Sequence, residues 1–167
     1  MNTRVIIRLL ILSACIAHSL YAYDIKSLNT SEVEEYMKKG YVLVNVLPEE
    51  EFKNCHIPGS ENLSIVGDEA TFKAQAKERY AGKEQNIIFH CAGTYCPASH
   101  KATMLLIWEN FLATSMKGEK APFGKQETPE KERIVYYAGG IIGWRKDGKE
   151  TIGDCDKKYL HESHESK

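Results

Sequence analysis

Two thiols, Cys91 and Cys96, bracket the short stretch Cys91-Ala92-Gly93-Thr94-Tyr95-Cys96. The apolar run Ile87-Ile88-Phe89-His90 precedes it, and a helical pattern starts at Ser99, just after Pro97. This order predicts a strand, a tight loop that opens with a thiol, and a helix start. Loop N–H groups and a helix N-terminus together cradle negative charge. A cysteine held there is favoured as thiolate, the nucleophilic form. Two readings of Cys91 follow. One is a catalytic nucleophile cradled by Ala92, Gly93, Thr94, Tyr95 and Cys96. The other is an inert cysteine ending a core strand. The loop and the helix behind it favour the nucleophile.

The other candidates have bland readings beside sharp ones. Cys96 lies at the far end of a curled loop and is either a resolving thiol for Cys91 or a loop residue that stays reduced. Its spacing from Cys91 lies outside the Cys-x-x-Cys pattern. Cys55 and Cys155 are candidates for a structural disulfide. His56 reads as a hydrogen-bonding residue of a bend rather than a base, and Trp144 as a core plug. Tyr95 either lines a pocket mouth or is simply exposed. His161 and His164 lie in His-Glu-Ser-His-Glu, which is not the His-Glu-x-x-His spacing of metalloproteases. No metal site is expected.

These groups need a scaffold, and the hydrophobic pattern supplies one. Asn29 or Thr30 caps a helix through Lys39, with Ser31 and Glu34 at capping-box spacing and Gly40 as the stop. Tyr41 to Val46 is an apolar run of the kind found in strands covered on both faces. A helical turn around Glu50-Glu51-Phe52 and a bend at Ile57-Pro58-Gly59 come next. Phe72, Ala76 and Tyr80 recur at helical spacing up to Gly82. Ser99 to Leu112 is a helix apolar enough to pack on a sheet. Ser115 to Arg133 reads as an extended loop, and loops of that length commonly cover a site or dock a partner. Ile134 to Tyr137 is another strand. Strands alternating with helices imply a mostly parallel α/β sheet.

The 167 residues carry 22 basic and 23 acidic side chains, so no charge excess argues for nucleic acid. Arg4 and Arg8 precede an apolar run to Ala17, and Ala22 offers a cleavage point, the pattern of a signal peptide over 1–22. Leu12-Ser13-Ala14-Cys15 also resembles a bacterial lipobox, which would leave a lipid anchor on Cys15. Arg8 shortens that apolar stretch, and secretion is the preferred reading. Either way the expectation is export, to the periplasm or beyond. A single domain over 23–155 and a flexible polar tail over 156–167 complete the organisation.

Three separated stretches, in order, resemble one family. Tyr41–Val46, Glu50-Glu51-Phe52 and His56-Ile57-Pro58-Gly59-Ser60 are similar to the opening of rhodanese domains. Ile87–Cys91, with Ser99 and Ala102, resembles their active-site strand, loop and helix, and Tyr137–Trp144 their closing Gly-Gly-x-x-x-Trp segment. The resemblance implies a five-stranded, mostly parallel sheet flanked by helices on both faces. It implies a sulfurtransferase whose Cys91 takes sulfane sulfur from a small donor such as thiosulfate or polysulfide. Cys91 would carry it as a persulfide to a protein thiol or other nucleophile, without metal or organic cofactor. Asn45 and Leu47 stand where the family has Asp and Arg, which removes an ion pair, and Cys55 replaces a Gly. The loop lacks a basic residue, so thiosulfate:cyanide turnover is not expected to be efficient, although His90, His100 and Lys101 could supply some positive charge. Pro97 replaces the Arg of phosphatase relatives, which argues against phosphate chemistry. The alternatives are a thiol–disulfide oxidoreductase using Cys91 and Cys96, and a non-catalytic binding module.

Overall fold

The computed structural model describes residues 25–81, 85–116 and 133–155, the side chains of 110–116 excepted. The export segment with Cys15, the stop at Gly82, the loop over 117–132 and the tail with His161 and His164 lie outside the described residues.

Five short strands form one parallel sheet in the order β1-β6-β5-β2-β4: β1 is Ser27–Leu28, β2 Val42–Asn45, β4 Glu61–Asn62, β5 Ile87–His90 and β6 Ile134–Tyr137. The expected parallel α/β architecture is present, and every pairing within this sheet is parallel. All four residues of β5 are buried, as a strand covered on both faces requires. Each large apolar side chain so buried contributes about 1.5–3 kcal/mol. In register, Leu28, Tyr137, His90, Asn45 and Asn62 form a row across the carboxyl edge of the sheet. Cys91 is one residue beyond that row. The crevice outside the strands' carboxyl ends is where open α/β sheets bind ligands.

The helices follow their apolar stripes. Helix α1, Thr30–Lys38, starts from a capping box, but the box joins Asn29 and Glu32 rather than Ser31 and Glu34. Asn29 has the extended backbone that a cap needs, whereas Ser31 is already helical. Helix α2 is Glu49–Asn54, and α3, Glu69–Tyr80, buries Phe72, Ala76 and Tyr80. Helix α4, Ala98–Met116, runs past the expected end at Leu112. It buries Ser99, Ala102, Thr103, Leu106 and Ile107, a stripe that meets β5 and β6. The closing segment contains a further helix, α5, Gly140–Lys146.

Two-residue strands escape pattern reading because so short a run shows no alternation. Among them, β3 (Cys55–His56) and β7 (Ile152–Gly153) pair antiparallel, with Cys55 opposite Gly153. The Cys55–Cys155 disulfide beside that pairing has Cα atoms 4.9 Å apart and spans 100 positions. It ties the chain's far end to the bend after α2, and both half-cystines are buried.

Helix α5 sets the active-loop geometry. The N–H groups of Ile141 and Ile142 donate to the carbonyls of Cys91 (3.2 Å) and Ala92 (2.9 Å). Between them and β6 sits Gly140, at φ +54°, where an added Cβ would lie 2.4 Å from the Cys91 carbonyl oxygen. Only glycine permits both that backbone and that approach.

Two stability outcomes follow. Cys55→Ser with Cys155→Ser lowers unfolding free energy by about 4 kcal/mol in denaturant titration, as expected for releasing so long a loop. An unchanged midpoint and slope would contradict a cross-link that restrains the unfolded chain. Gly140→Ala costs about 2 kcal/mol or more, because left-handed backbone and collision add. Wild-type stability in that variant would show that α5 does not dock as described.

Candidate active site

The loop after β5 folds back on itself. The N–H of Cys96 donates to the Gly93 carbonyl at 2.9 Å, closing a four-residue turn. Gly93 is itself buried against Ile142 of α5. Thr94 and Tyr95 form the exposed tip, Tyr95 being 92% accessible. A pocket of about 130 Å³ is lined by Ala92, Gly93, Tyr95, Cys96 and Ile142. The structure therefore brings four of the five expected cradle residues to one depression, and Thr94 is not among its lining. Ile142 joins them from the closing segment.

Cys91 is fully buried and does not itself line this depression, although Ala92, Gly93 and Cys96 do. Its S–H donates to the Cys96 carbonyl at 3.1 Å, with the Gly93 carbonyl further off at 4.0 Å. Ser99 Oγ lies 3.4 Å from the sulfur. Burial pushes the thiol above the ordinary cysteine range. The Ser99 hydroxyl and the Ser99 N–H pull it back, while the Cys96 side chain adds to the rise. This corrects the expected amide-ringed, readily ionised thiolate. In this arrangement carbonyls face the sulfur from the loop, so the proton is held. The donors that remain come from Ser99 in the first turn of α4, the end where peptide dipoles favour an anion.

Sequence reasoning assigned Ser99 no chemical role, using it to mark a helix start and to carry part of the family resemblance. Its signal was a hydroxyl residue in the first helical turn after a thiol-first loop. It is buried, and its carbonyl accepts from the Thr103 hydroxyl at 2.9 Å, so its backbone position is fixed.

The neighbouring cations do not charge the pocket. His90 is fully buried, and burial holds its pKa down to about 4, with the charge of His56 acting in the same direction. It is neutral at pH 7, which corrects the expectation of a positive charge there. Its Nδ1 lies 3.4 Å from the Cys91 carbonyl. Lys101 pairs with Glu69 at 2.9 Å, and the His100 ring packs edge-on against Tyr136. The pocket lining carries no charged side chain.

Other expectations resolve structurally. His56 Nδ1–H donates to the Phe52 carbonyl at 2.8 Å and its ring stacks on Phe52, a bend-holding role. Trp144 is buried, meets Tyr137 edge-on and donates from Nε1 to the Glu150 carbonyl at 2.8 Å, as a core plug should. Asn45 is buried without an ion pair. Its Oδ1 accepts from the Leu47 N–H at 2.8 Å, and its carbonyl accepts from Leu63 N–H and Asn62 Nδ2. Neutral hydrogen bonds thus tie down this strand end. Cys91 and Cys96 are both free thiols. Among the described residues no cluster of His, Cys, Asp or Glu is arranged to hold a metal.

No curated protein matches the sequence. Among solved structures, the rhodanese-like domain of an Anabaena protein aligns with TM-score 0.50 and 13% identity, over 79% of this chain and 82% of that one. A Bacillus halodurans protein aligns with TM-score 0.49 and 23% identity, over 85% and 86%. Thiosulfate sulfurtransferase from Pseudomonas aeruginosa aligns with TM-score 0.48 and 16% identity, over 78% of this chain and 20% of that one. The family model for the rhodanese-like domain matches residues 29–147, from the cap of α1 to the end of α5, and the chain belongs to that family.

Proposed function

We propose that this chain is a sulfurtransferase that carries sulfane sulfur as a persulfide on Cys91. The observation that carries the reading is a buried thiol 3.4 Å from the Ser99 hydroxyl in the first turn of α4, in a loop whose next residues line a pocket. Uptake requires that the Cys96 carbonyl leave the sulfur, so that the thiol loses its proton with Ser99 as the remaining partner. The thiolate then attacks the outer sulfur of a donor R–S–SH. The Cys91–sulfur bond forms, the donor S–S bond breaks, and R–S⁻ leaves. An acceptor thiolate removes the outer sulfur in the same way and returns Cys91 to thiolate.

The uncharged lining bears on the donor. A dianion such as thiosulfate finds no cation there to offset its desolvation. An alkyl persulfide, a polysulfide or a protein-bound persulfide suits the pocket better, and the exposed Tyr95 beside it offers a contact for a protein partner. The Cys55–Cys155 disulfide supports work in an oxidising compartment, in agreement with the export pattern of residues 1–22. A second reading, a binding module that keeps the fold without turnover, is favoured by one fact: the Cys91 sulfur is fully buried.

Brief incubation with glutathione persulfide, followed by mass spectrometry of the intact chain and its peptides, separates the two. The wild-type chain gains one sulfur atom on the Cys91 peptide, faster than with thiosulfate, and Cys91→Ser gains none there. Equal labelling of both chains, or a wild type that neither gains sulfur nor releases sulfide, overturns the sulfurtransferase reading.

A further inference from the structure

The second thiol has a place in the same site that a one-cysteine relay leaves unused. Cys96 is half-buried and lines the pocket, whereas Cys91 is fully buried and does not. The turn closed by Cys96 N–H and the Gly93 carbonyl brings residue 96 back over residue 91, until its carbonyl touches the Cys91 sulfur at 3.1 Å. The Cys96 thiol is also close enough to add to the rise in the Cys91 pKa. Both remain free thiols, while the other two described cysteines are already cross-linked to each other. A disulfide needs Cα atoms within about 7 Å, and the 3.1 Å contact between the Cys96 carbonyl and the Cys91 sulfur holds the two residues close to that range.

We infer that Cys96 is a resolving thiol, which attacks the Cys91 persulfide and releases its outer sulfur as sulfide. The inference rests on the persulfide reading above and names what becomes of the sulfur. The Cys96 thiolate attacks Sγ of Cys91, the inner sulfur. A bond forms between the two cysteine sulfurs, and the bond from Sγ to the outer sulfur breaks. The outer sulfur leaves with the electron pair as hydrosulfide, and the proton released by Cys96 balances the charge. The products are one Cys91–Cys96 disulfide and one hydrogen sulfide. The sulfane sulfur is reduced and the two cysteines are oxidised. An external dithiol, reaching the disulfide through the pocket wall at Cys96, restores both thiols and itself becomes a disulfide. The pair thereby couples persulfide disposal to a dithiol reductant.

The test loads wild type and Cys96→Ser with glutathione persulfide, removes excess donor by rapid desalting, and follows sulfide release and protein mass without reductant. Wild type is expected to release one sulfide per loaded chain and to finish two hydrogens lighter than the reduced protein, with the new linkage mapped to Cys91 and Cys96. Cys96→Ser is expected to stay one sulfur heavier and to release no sulfide above a donor-free control. A persulfide that persists equally in both proteins, or sulfide released equally fast by both, overturns the resolving role while leaving Cys91 as the carrier. No uptake by either protein overturns the carrier reading, and the resolving role falls with it.

Discussion

Two main-chain hydrogen bonds hold this site together: Ile141 and Ile142, at the start of α5, donate to the carbonyls of Cys91 and Ala92. They fix the first residues of the loop to the last helix of the domain, so that everything up to Cys96 must turn within a narrow space. The approach works because Gly140 has no side chain to collide with the Cys91 carbonyl. The hydroxyl of Tyr137, 2.7 Å from Thr30 Oγ1, ties the end of β6 to α1 below the same junction. A segment nearly fifty residues after the loop thus decides where the loop's first sulfur sits.

With the loop so held, two effects compete at Cys91. Burial stabilises the neutral thiol, and a proton shared with the Cys96 carbonyl reinforces it. The Ser99 hydroxyl and N–H work in the opposite direction, and hydrogen bonds to a charged group contribute about 1.5–3 kcal/mol. Burial prevails in this arrangement, and a guarded thiol is the result. A guarded thiol is shielded from the oxidation to which an exposed thiolate is prone. The same carbonyl contact that guards Cys91 keeps Cys96 beside it, so protection and the proposed resolution rest on one turn of backbone.

Much of the scaffold was legible in the residues. The apolar runs at Val42–Asn45, Ile87–His90 and Ile134–Tyr137 lie within the runs read as strands, because strands buried on both faces leave a continuous signal. Phe72, Ala76 and Tyr80 marked α3 for the same kind of reason. The two-residue strands were invisible, since pairing and not composition defines them. Helix α5 was hidden inside the Gly-Gly segment, where propensity opposes a helix and docking against the loop imposes one. At the site, spacing found Cys91, Cys96 and the loop, and the Cys55–Cys155 pairing was raised as one option among several. What it missed was the direction in which loop groups point: a tight loop offers both amides and carbonyls, and only the register set by α5 turns the carbonyls toward the sulfur. The charge of His90 was misjudged for a related reason, because full burial at the end of β5 outweighs its ordinary basicity.

The most direct measurement of the account is the rate of Cys91 alkylation against pH, read by peptide mapping in the folded chain and again in denaturant. A raised pKa in the native state means that protonated Cys91 favours folding below the ordinary thiol range and that this contribution is lost as pH rises through the native value. The account predicts that folded Cys91 does react, with a midpoint above that of the unfolded chain. A folded midpoint below the unfolded one, or a Cys91 that stays unreactive until the protein unfolds, would contradict it.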